Sequence, residues 1–141
     1  MEKGLYIDAN IFIFAYGNDE KLGNTCRGII DLIINGRIIA FTSVLTFDEF
    51  FYQIKKLKGY EKALFASHLL LNLKNLNFIN VDLEIINYSY SLLRKYNLEP
   101  RDSIHLACAL SRNIKTIITN DKDFDKISEI KRLDIKDIHK L

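Results

Sequence analysis

At 141 residues with 48% hydrophobic content, the chain has the size and apolar mass of one domain around one substantial core. Its 20 basic and 18 acidic residues leave a formal net charge of +2, which excludes attraction of nucleic acid by bulk charge while leaving room for a local basic patch. The N-terminus lacks the basic, apolar and small-residue segments of a signal peptide, and no apolar run approaches about 18 residues, so a soluble cytoplasmic protein with no membrane contact is expected.

In chain order, Leu5-Tyr6-Ile7 reads as a short buried strand that runs into Asp8. From Glu20 to Asn35, Leu22, Cys26, Ile29, Ile30 and Ile33 recur at helical spacing, and Gly36 closes that helix. Ile38 to Thr42 is β-branched and aromatic, hence a second strand. Phe47, Phe50, Phe51, Ile54 and Leu57 mark the next helix, and Gly59 separates it from another over about Tyr60 to Leu76. That helix carries Leu64, Phe65, Leu69, Leu70, Leu71 and Leu73, a wider apolar surface than one core-facing stripe requires. Phe78 to Val81 is a third strand, Asp82 caps a helix running through Tyr96, and Pro100 opens a helix that continues to about Arg112. Thr116 to Thr119 is a compact strand, Asn120 to Asp123 a polar turn, and Leu133 to Ile135 a weak last strand. Strands alternating with helices predict an α/β fold, a mainly parallel sheet of about five strands covered by helices on both sides, in a single domain spanning the chain. Cys26 and Cys108 fall in apolar helical patterns without CxxC spacing, and two buried free thiols in a reducing compartment are expected.

Ligands of such sheets sit beyond the carboxyl ends of the strands, and four acids fall at that edge. Asp8 and Asp121 follow strands, whereas Glu49 and Asp102 lie near the starts of helices that face the same side. Two ionised carboxylates about 4 Å apart repel by roughly 4 kcal/mol at an effective dielectric near 20, so such a group persists only with protons or a cation. An all-oxygen donor set favours Mg²⁺, or Mn²⁺, over zinc. Each acid also has a local explanation. Asp8 can cap the following helix, Thr46 to Glu49 matches a capping box, and Asp102 suits the positive end of a helix. Asp121, Asp123 and Asp125 resemble the start of a calcium loop, but Lys126 and Arg132 stand where it needs Gly and Glu. Asp123 or Asp125 is then expected to cap a short helix, leaving Asp121 for the site. His68, His105 and His139 show no metal or triad spacing and are placed outside it.

Four segments together carry a family resemblance: Leu5-Tyr6-Ile7-Asp8-Ala9-Asn10, Thr42-Ser43-Val44-Leu45-Thr46-Phe47-Asp48-Glu49, Arg101-Asp102-Ser103-Ile104-His105-Leu106-Ala107 and Ile118-Thr119-Asn120-Asp121-Lys122-Asp123-Phe124. Over nearly its whole length the chain resembles the PIN-domain ribonucleases, especially VapC-type toxins of toxin–antitoxin pairs. The resemblance implies that Asp8, Glu49, Asp102 and Asp121 form an acidic quartet that binds Mg²⁺ or Mn²⁺, with Asp8 and Asp121 the best direct ligands. Asn10 and Thr119 would give polar support, and Asp123 is a secondary member. It further implies endonucleolytic cleavage of RNA to a 3′-hydroxyl and a 5′-phosphate, a cognate antitoxin, and a homodimer for which Leu64, Phe65, Leu69, Leu70 and Leu73 supply apolar surface.

Other readings are weaker. A phosphatase with an aspartate nucleophile at Asp8 lacks its general acid, since Asn10 stands two residues on, and no GxGxxG follows the first strand to bind a dinucleotide. An RNA-processing nuclease without a toxin role, and a non-catalytic RNA- or protein-binding module with a structural metal, remain as alternatives. Lys55, Lys56, Lys58 and Lys62 beside Tyr52 and Tyr60 could contact single-stranded RNA, but a solvated helix end is the favoured reading.

Overall fold

The computed structural model describes residues 4–141, apart from the side chains of His139 and Lys140. Five strands, β1 (Leu5–Ile7), β2 (Ala40–Ser43), β3 (Leu76–Ile79), β4 (Thr116–Ile118) and β5 (Lys131–Leu133), form one sheet in the order β3-β2-β1-β4-β5. Every pairing is parallel, with Leu5 opposite Ala40, Ile7 opposite Ile118 and Ile118 opposite Leu133. The helices are α1 (Ala9–Gly17), α2 (Lys21–Ile34), α3 (Leu45–Lys58), α4 (Tyr60–Leu71), α5 (Leu83–Lys95) and α6 (Pro100–Ser111). The chain builds outward from β1 to β3 and then returns to lay β4 against the other side of β1. The strand order therefore reverses between β1 and β4, and a crevice opens beyond their carboxyl ends.

Alternation along the strands sends successive side chains to opposite faces. Leu5, Ile7 and Ile118 join Ile11, Phe12, Cys26, Ile29, Ile33, Phe50, Ile54 and Leu70, so α1 to α4 cover one face. Tyr6 and Ile117 join Ile85, Leu92, Leu106, Cys108 and Phe124 beneath α5 and α6 on the other. Each fully buried Ile or Leu contributes roughly 1.5–3 kcal/mol. Cys26 and Cys108 are free and buried, one in each layer. Among the described residues no helix is long and apolar enough to cross a membrane.

Most sequence-expected elements are present, and the differences are confined to their ends. The helix expected to reach Leu76 stops at Leu71. Asn72 turns its side-chain amide back onto the His68 carbonyl at 2.9 Å, and Asn75 takes a left-handed φ of 68° while donating to the Ile34 carbonyl at 2.8 Å. These local bonds compete with the helix and release Leu76 to begin β3, two residues earlier than expected. Leu70, counted as surplus surface in the sequence, is core at 4% exposure. The last strand also starts earlier, because Asp134 leaves the sheet to cap a short 3-10 helix by accepting from Lys136 N–H. Gly36, at φ 68°, ends α2 as its sequence position implies, with Arg37 N–H returning to the Leu32 carbonyl.

The joint between α1 and α2 fixes the helix that carries the first acidic motif. Arg27 donates to the Ala15 and Asn18 carbonyls, both at 2.8 Å, while Asn18 Oδ1 accepts from the backbone of Glu20 and Gly23. A Cβ at Gly23 would lie 1.7 Å from the Asn18 carbonyl oxygen, whereas one at Gly28 in the same helix meets nothing within 4 Å. Gly23→Ala should therefore cost at least about 2 kcal/mol in denaturant unfolding as the joint is forced open. Gly28→Ala should stabilise by roughly 0.5–1 kcal/mol. Equal effects of the two substitutions would show that the joint is loose.

Candidate metal centre

Asp8 follows β1 directly, and its backbone N–H continues the ladder to the Ile118 carbonyl at 3.1 Å. Its carboxylate does both things that the sequence offered as alternatives. Oδ1 caps α1 by accepting from Ala9 N–H at 2.7 Å, and Oδ2 accepts from the Thr119 hydroxyl at 2.6 Å across the switch in strand order. Thr119 is fully buried, and its Oγ1 also accepts from Asp121 N–H at 3.0 Å and from the Asn10 side-chain amide at 3.2 Å. With its single proton committed to Asp8, Thr119 can only accept from Asn10. Asn10 must therefore present its N–H group there, which leaves its Oδ1 buried and without a partner among the described residues.

Asp102, in the first turn of α6, stands against Asp121 and Asp123, and one carboxylate oxygen from each lies within 4.8 Å of the others. The structure thus draws Asp123 into a group with Asp102 and Asp121, while Asp8 lies close enough for its charge to act on Asp102. Asp121 is itself the N-cap of the 3-10 helix Lys122–Lys126, accepting from Asp123 N–H at 2.9 Å, so neither Asp123 nor Asp125 performs that task. Asp125 instead pairs with Arg132 at 2.7 Å, which is incompatible with a calcium loop. Burial pushes the Asp102 carboxyl up to about 7, aided by the negative charges of Asp121 and Asp8. Burial raises Asp8 as well, against the charge of His105 and the Thr119 hydrogen bond.

Glu49 does not complete a capping box. Thr46 bonds to Thr42 at 2.6 Å, and Val44 occupies the cap position of α3 without a side-chain bond. The Glu49 carboxylate turns inward to His105, Oε1 to Nε2 at 2.5 Å. Sequence spacing gives His105 no place in the site, yet the folded chain sets it against Glu49 and Asp8. The ring is fully buried on α6, with Nδ1 2.6 Å from the Tyr6 hydroxyl and Nε2 3.9 Å from Asp8 Oδ1. Burial alone lowers its basicity, but the hydrogen bond to Glu49 and the charges of Asp8, Glu49 and Asp102 more than reverse this and hold it above its ordinary value. The one sequence signal was helical phase, since His105 lies three residues after Asp102 and shares its face. His68 is exposed on α4, away from this group, and the side chain of His139 lies outside the described residues.

These groups open into a cavity of about 700 Å³ whose walls include Asp8, Asn10, Glu49, Tyr52, Arg101, Asp102 and Asp121. Arg101 reaches Asp48 at 3.8 Å at its exposed rim. Lys55 and Lys58 instead lie over the rings of Tyr52 and Tyr16, at 6.0 and 5.9 Å, and the basic stretch does not line the cavity. The donor set fits a hard divalent cation. It is oxygen only, it is crowded enough to disfavour full ionisation, and the orphaned Asn10 Oδ1 offers an acceptor for a cation's water shell.

This crowding has a pH signature in the metal-free protein. Asp102 holds its proton to about 7 when folded, against 3.8 ordinarily, so the folded state binds more protons across that window. The associated stability is complete below the ordinary value and is lost as pH rises through about 7; the raised Asp8 acts in the same sense. Melting temperature should therefore fall from about pH 5 to about pH 8, with Asp102→Asn flattening the slope and Mg²⁺ or Mn²⁺ restoring stability most at the upper end. A flat profile in EDTA would show that the carboxylates do not strain one another.

None of the curated protein sequences matches the chain. Among solved structures, a similar fold occurs in VapC20 of Mycobacterium tuberculosis, described as a sarcin-ricin loop cleaving toxin. The two are 13% identical, with a TM-score of 0.73 over 89% of this chain and 96% of that one. VapBC2 of Rickettsia felis, bound to a DNA fragment from its promoter, is 17% identical, with a TM-score of 0.73 over 92% and 97%. DNA-bound VapBC of Salmonella typhimurium is 20% identical, with a TM-score of 0.71 over 96% and 99%. The family model for the PIN domain matches residues 5–130, and with its all-parallel five-stranded sheet and acidic crevice, this chain belongs to the PIN domain family.

Proposed function

We propose that the chain is a divalent-cation-dependent endoribonuclease, the toxin of a toxin–antitoxin pair. The observation that carries this reading is the gathering of Asp8, Asp102, Asp121 and Asp123 at the crevice between β1 and β4, where burial, aided by the charges of Asp121 and Asp8, pushes the Asp102 carboxyl up to about 7. Asp102, Asp121 and Asp123 would hold the ion, with Asp8 beside them, and Mg²⁺ or Mn²⁺ bound there supplies positive charge that admits a phosphodiester and favours ionisation of water. The protein does the positioning. Thr119 and Ala9 hold both oxygens of Asp8, so its carboxylate cannot rotate to follow substrate. Glu49, fixed at Oε1, offers Oε2 to the attacking water and receives its proton. Attack of that water on phosphorus in line with the 3′ oxygen breaks the P–O3′ bond, and the departing oxygen takes up a proton from solvent, leaving a 3′-hydroxyl and a 5′-phosphate. Arg101 and Tyr52 at the cavity wall suit a flanking phosphate and a stacked base of a single strand.

The test is cleavage of a panel of single-stranded RNAs and structured tRNAs with Mg²⁺ or Mn²⁺. EDTA should abolish cutting, and Asp8→Asn and Asp121→Asn, folded by circular dichroism, should lose more than about 100-fold. Metal-independent cutting would overturn the cation dependence, whereas RNA binding by wild type and Asp8→Asn alike without cutting would favour a binding module instead.

Partner surfaces separate into two. A groove of about 360 Å³, lined by Phe12, Tyr16, Ile30, Phe50, Leu69 and Leu73, suits an apolar antitoxin segment, in keeping with the VapBC complexes among the fold relatives. Leu64 and Phe65, 45% and 61% exposed, suit a second copy of the chain and a homodimer. Light scattering should give a dimer mass at micromolar concentration, reduced to monomer by Phe65→Asp. Co-expression with the product of an adjacent small gene should give a larger complex that Leu69→Asp disrupts, while monomeric wild type with no complex would dismiss both surfaces.

A further inference from the structure

Beneath the acidic crevice lies a buried polar relay. Tyr6 is the middle residue of β1, and the pleat turns it away from Leu5 and Ile7 toward α6, where its hydroxyl meets His105 Nδ1 at 2.6 Å. Both side chains are fully buried, and their rings pack edge to face at 5.6 Å between centroids. On its far side the imidazole spans from the α5–α6 layer to α3 in the other layer, placing Nε2 2.5 Å from Glu49 Oε1. Three elements thus meet in one chain of hydrogen bonds that ends on a carboxylate facing the cavity.

Hydrogen-bonding capacity fixes which atom carries the proton. Burial keeps the Tyr6 phenol protonated, since its ionisation is raised well above the ordinary value. In the neutral imidazole, the Tyr6 O–H donates to Nδ1 and the ring proton sits on Nε2. In the charged imidazolium both nitrogens bear protons. Either way Nε2–H points at Glu49, and only the Nδ1–H neutral tautomer, which would set two lone pairs against each other at 2.5 Å, is excluded. Nε2 also stands 3.9 Å from Asp8 Oδ1, so one N–H group sits between two carboxylates that would otherwise repel.

We propose that His105, held by Tyr6, is a positioning residue that presents Glu49 Oε2 to the cation-binding cavity. Among the described residues Oε2 has no hydrogen-bond partner, while Oε1 is occupied, so the carboxylate meets incoming ligands with one defined oxygen. The proposal rests on the divalent-cation reading, and its two measurements keep the failures apart. The first is ¹⁵N NMR of His105 in EDTA. Nε2 should be protonated from about pH 5 to about pH 8 in wild type and in Tyr6→Phe, where Glu49 still faces it, whereas Glu49→Gln, whose side-chain amide can turn to donate to Nε2, should let the Nδ1–H form appear. The second is Mn²⁺ affinity by calorimetry on folded protein. His105→Leu should weaken it by about 10–100-fold, His105→Gln, which retains an N–H donor, should recover most of that loss, and Tyr6→Phe should lie between wild type and His105→Leu. An unprotonated Nε2 in wild type overturns the proposal, as does wild-type Mn²⁺ affinity in both Tyr6→Phe and His105→Leu; if His105→Leu does not fold, Tyr6→Phe against His105→Gln decides. Absence of Mn²⁺ binding by wild type would instead remove the cation reading itself, leaving the ¹⁵N result to stand or fall separately.

Discussion

The 2.6 Å hydrogen bond from Thr119 to Asp8 joins the two arms of the chain at the place where the site is built. One arm runs outward from β1 through β2 to β3, and the other returns to place β4 and β5 on the opposite side. Parallel pairing of Ile7 with Ile118 makes both arms end at the same edge, so the residues that follow them have no choice but to meet. A one-residue slip of β4 would send Ile117 and Ile118 to the wrong faces and carry Thr119 away from Asp8. Register in the apolar core and geometry in the acidic crevice are therefore one constraint.

That constraint explains why the site can be so heavily charged. Carboxylates drawn from the ends of strands and the starts of helices are held by groups whose positions the core has already fixed. Backbone N–H groups serve Asp8 and Asp121, the Thr119 hydroxyl serves Asp8, and an imidazole serves Glu49. Burial, aided by the charges of Asp121 and Asp8, pushes the Asp102 carboxyl up to about 7. The fold thus sets Asp102 of α6 beside Asp121 and Asp123, where a cation would relieve their repulsion.

Much of this was legible in the sequence because it depends on periodicity and on residue type at element ends. Ile29 and Ile33, Phe50 and Ile54, and the alternation through Leu5-Tyr6-Ile7 report burial directly, and Asp82 caps α5 as its position implies. Less legible were choices that depend on what lies across the sheet. Thr46 and Glu49 satisfy a local capping pattern, yet each finds a better partner at long range, Thr42 and His105. Asp123 reads as a cap because sequence shows only neighbours, whereas its place opposite Asp102 is set by the docking of α6. His105 went unrecognised for the same reason, since its partners at positions 6 and 49 become visible only when strand, helix and opposite layer are assembled.

The two cysteines give that assembly an internal clock. Cys26 sits among the residues of α1 to α4 and Cys108 among those of α5 and α6, both inaccessible, with burial raising each thiol to about 11. Neither reacts while its layer stays closed, so the rate at which each becomes alkylated measures how often that layer opens. A sheet whose central strands are gripped from both sides would expose the two sulfurs together. Alkylation at unequal rates would reveal that one layer peels away while the other still holds β1.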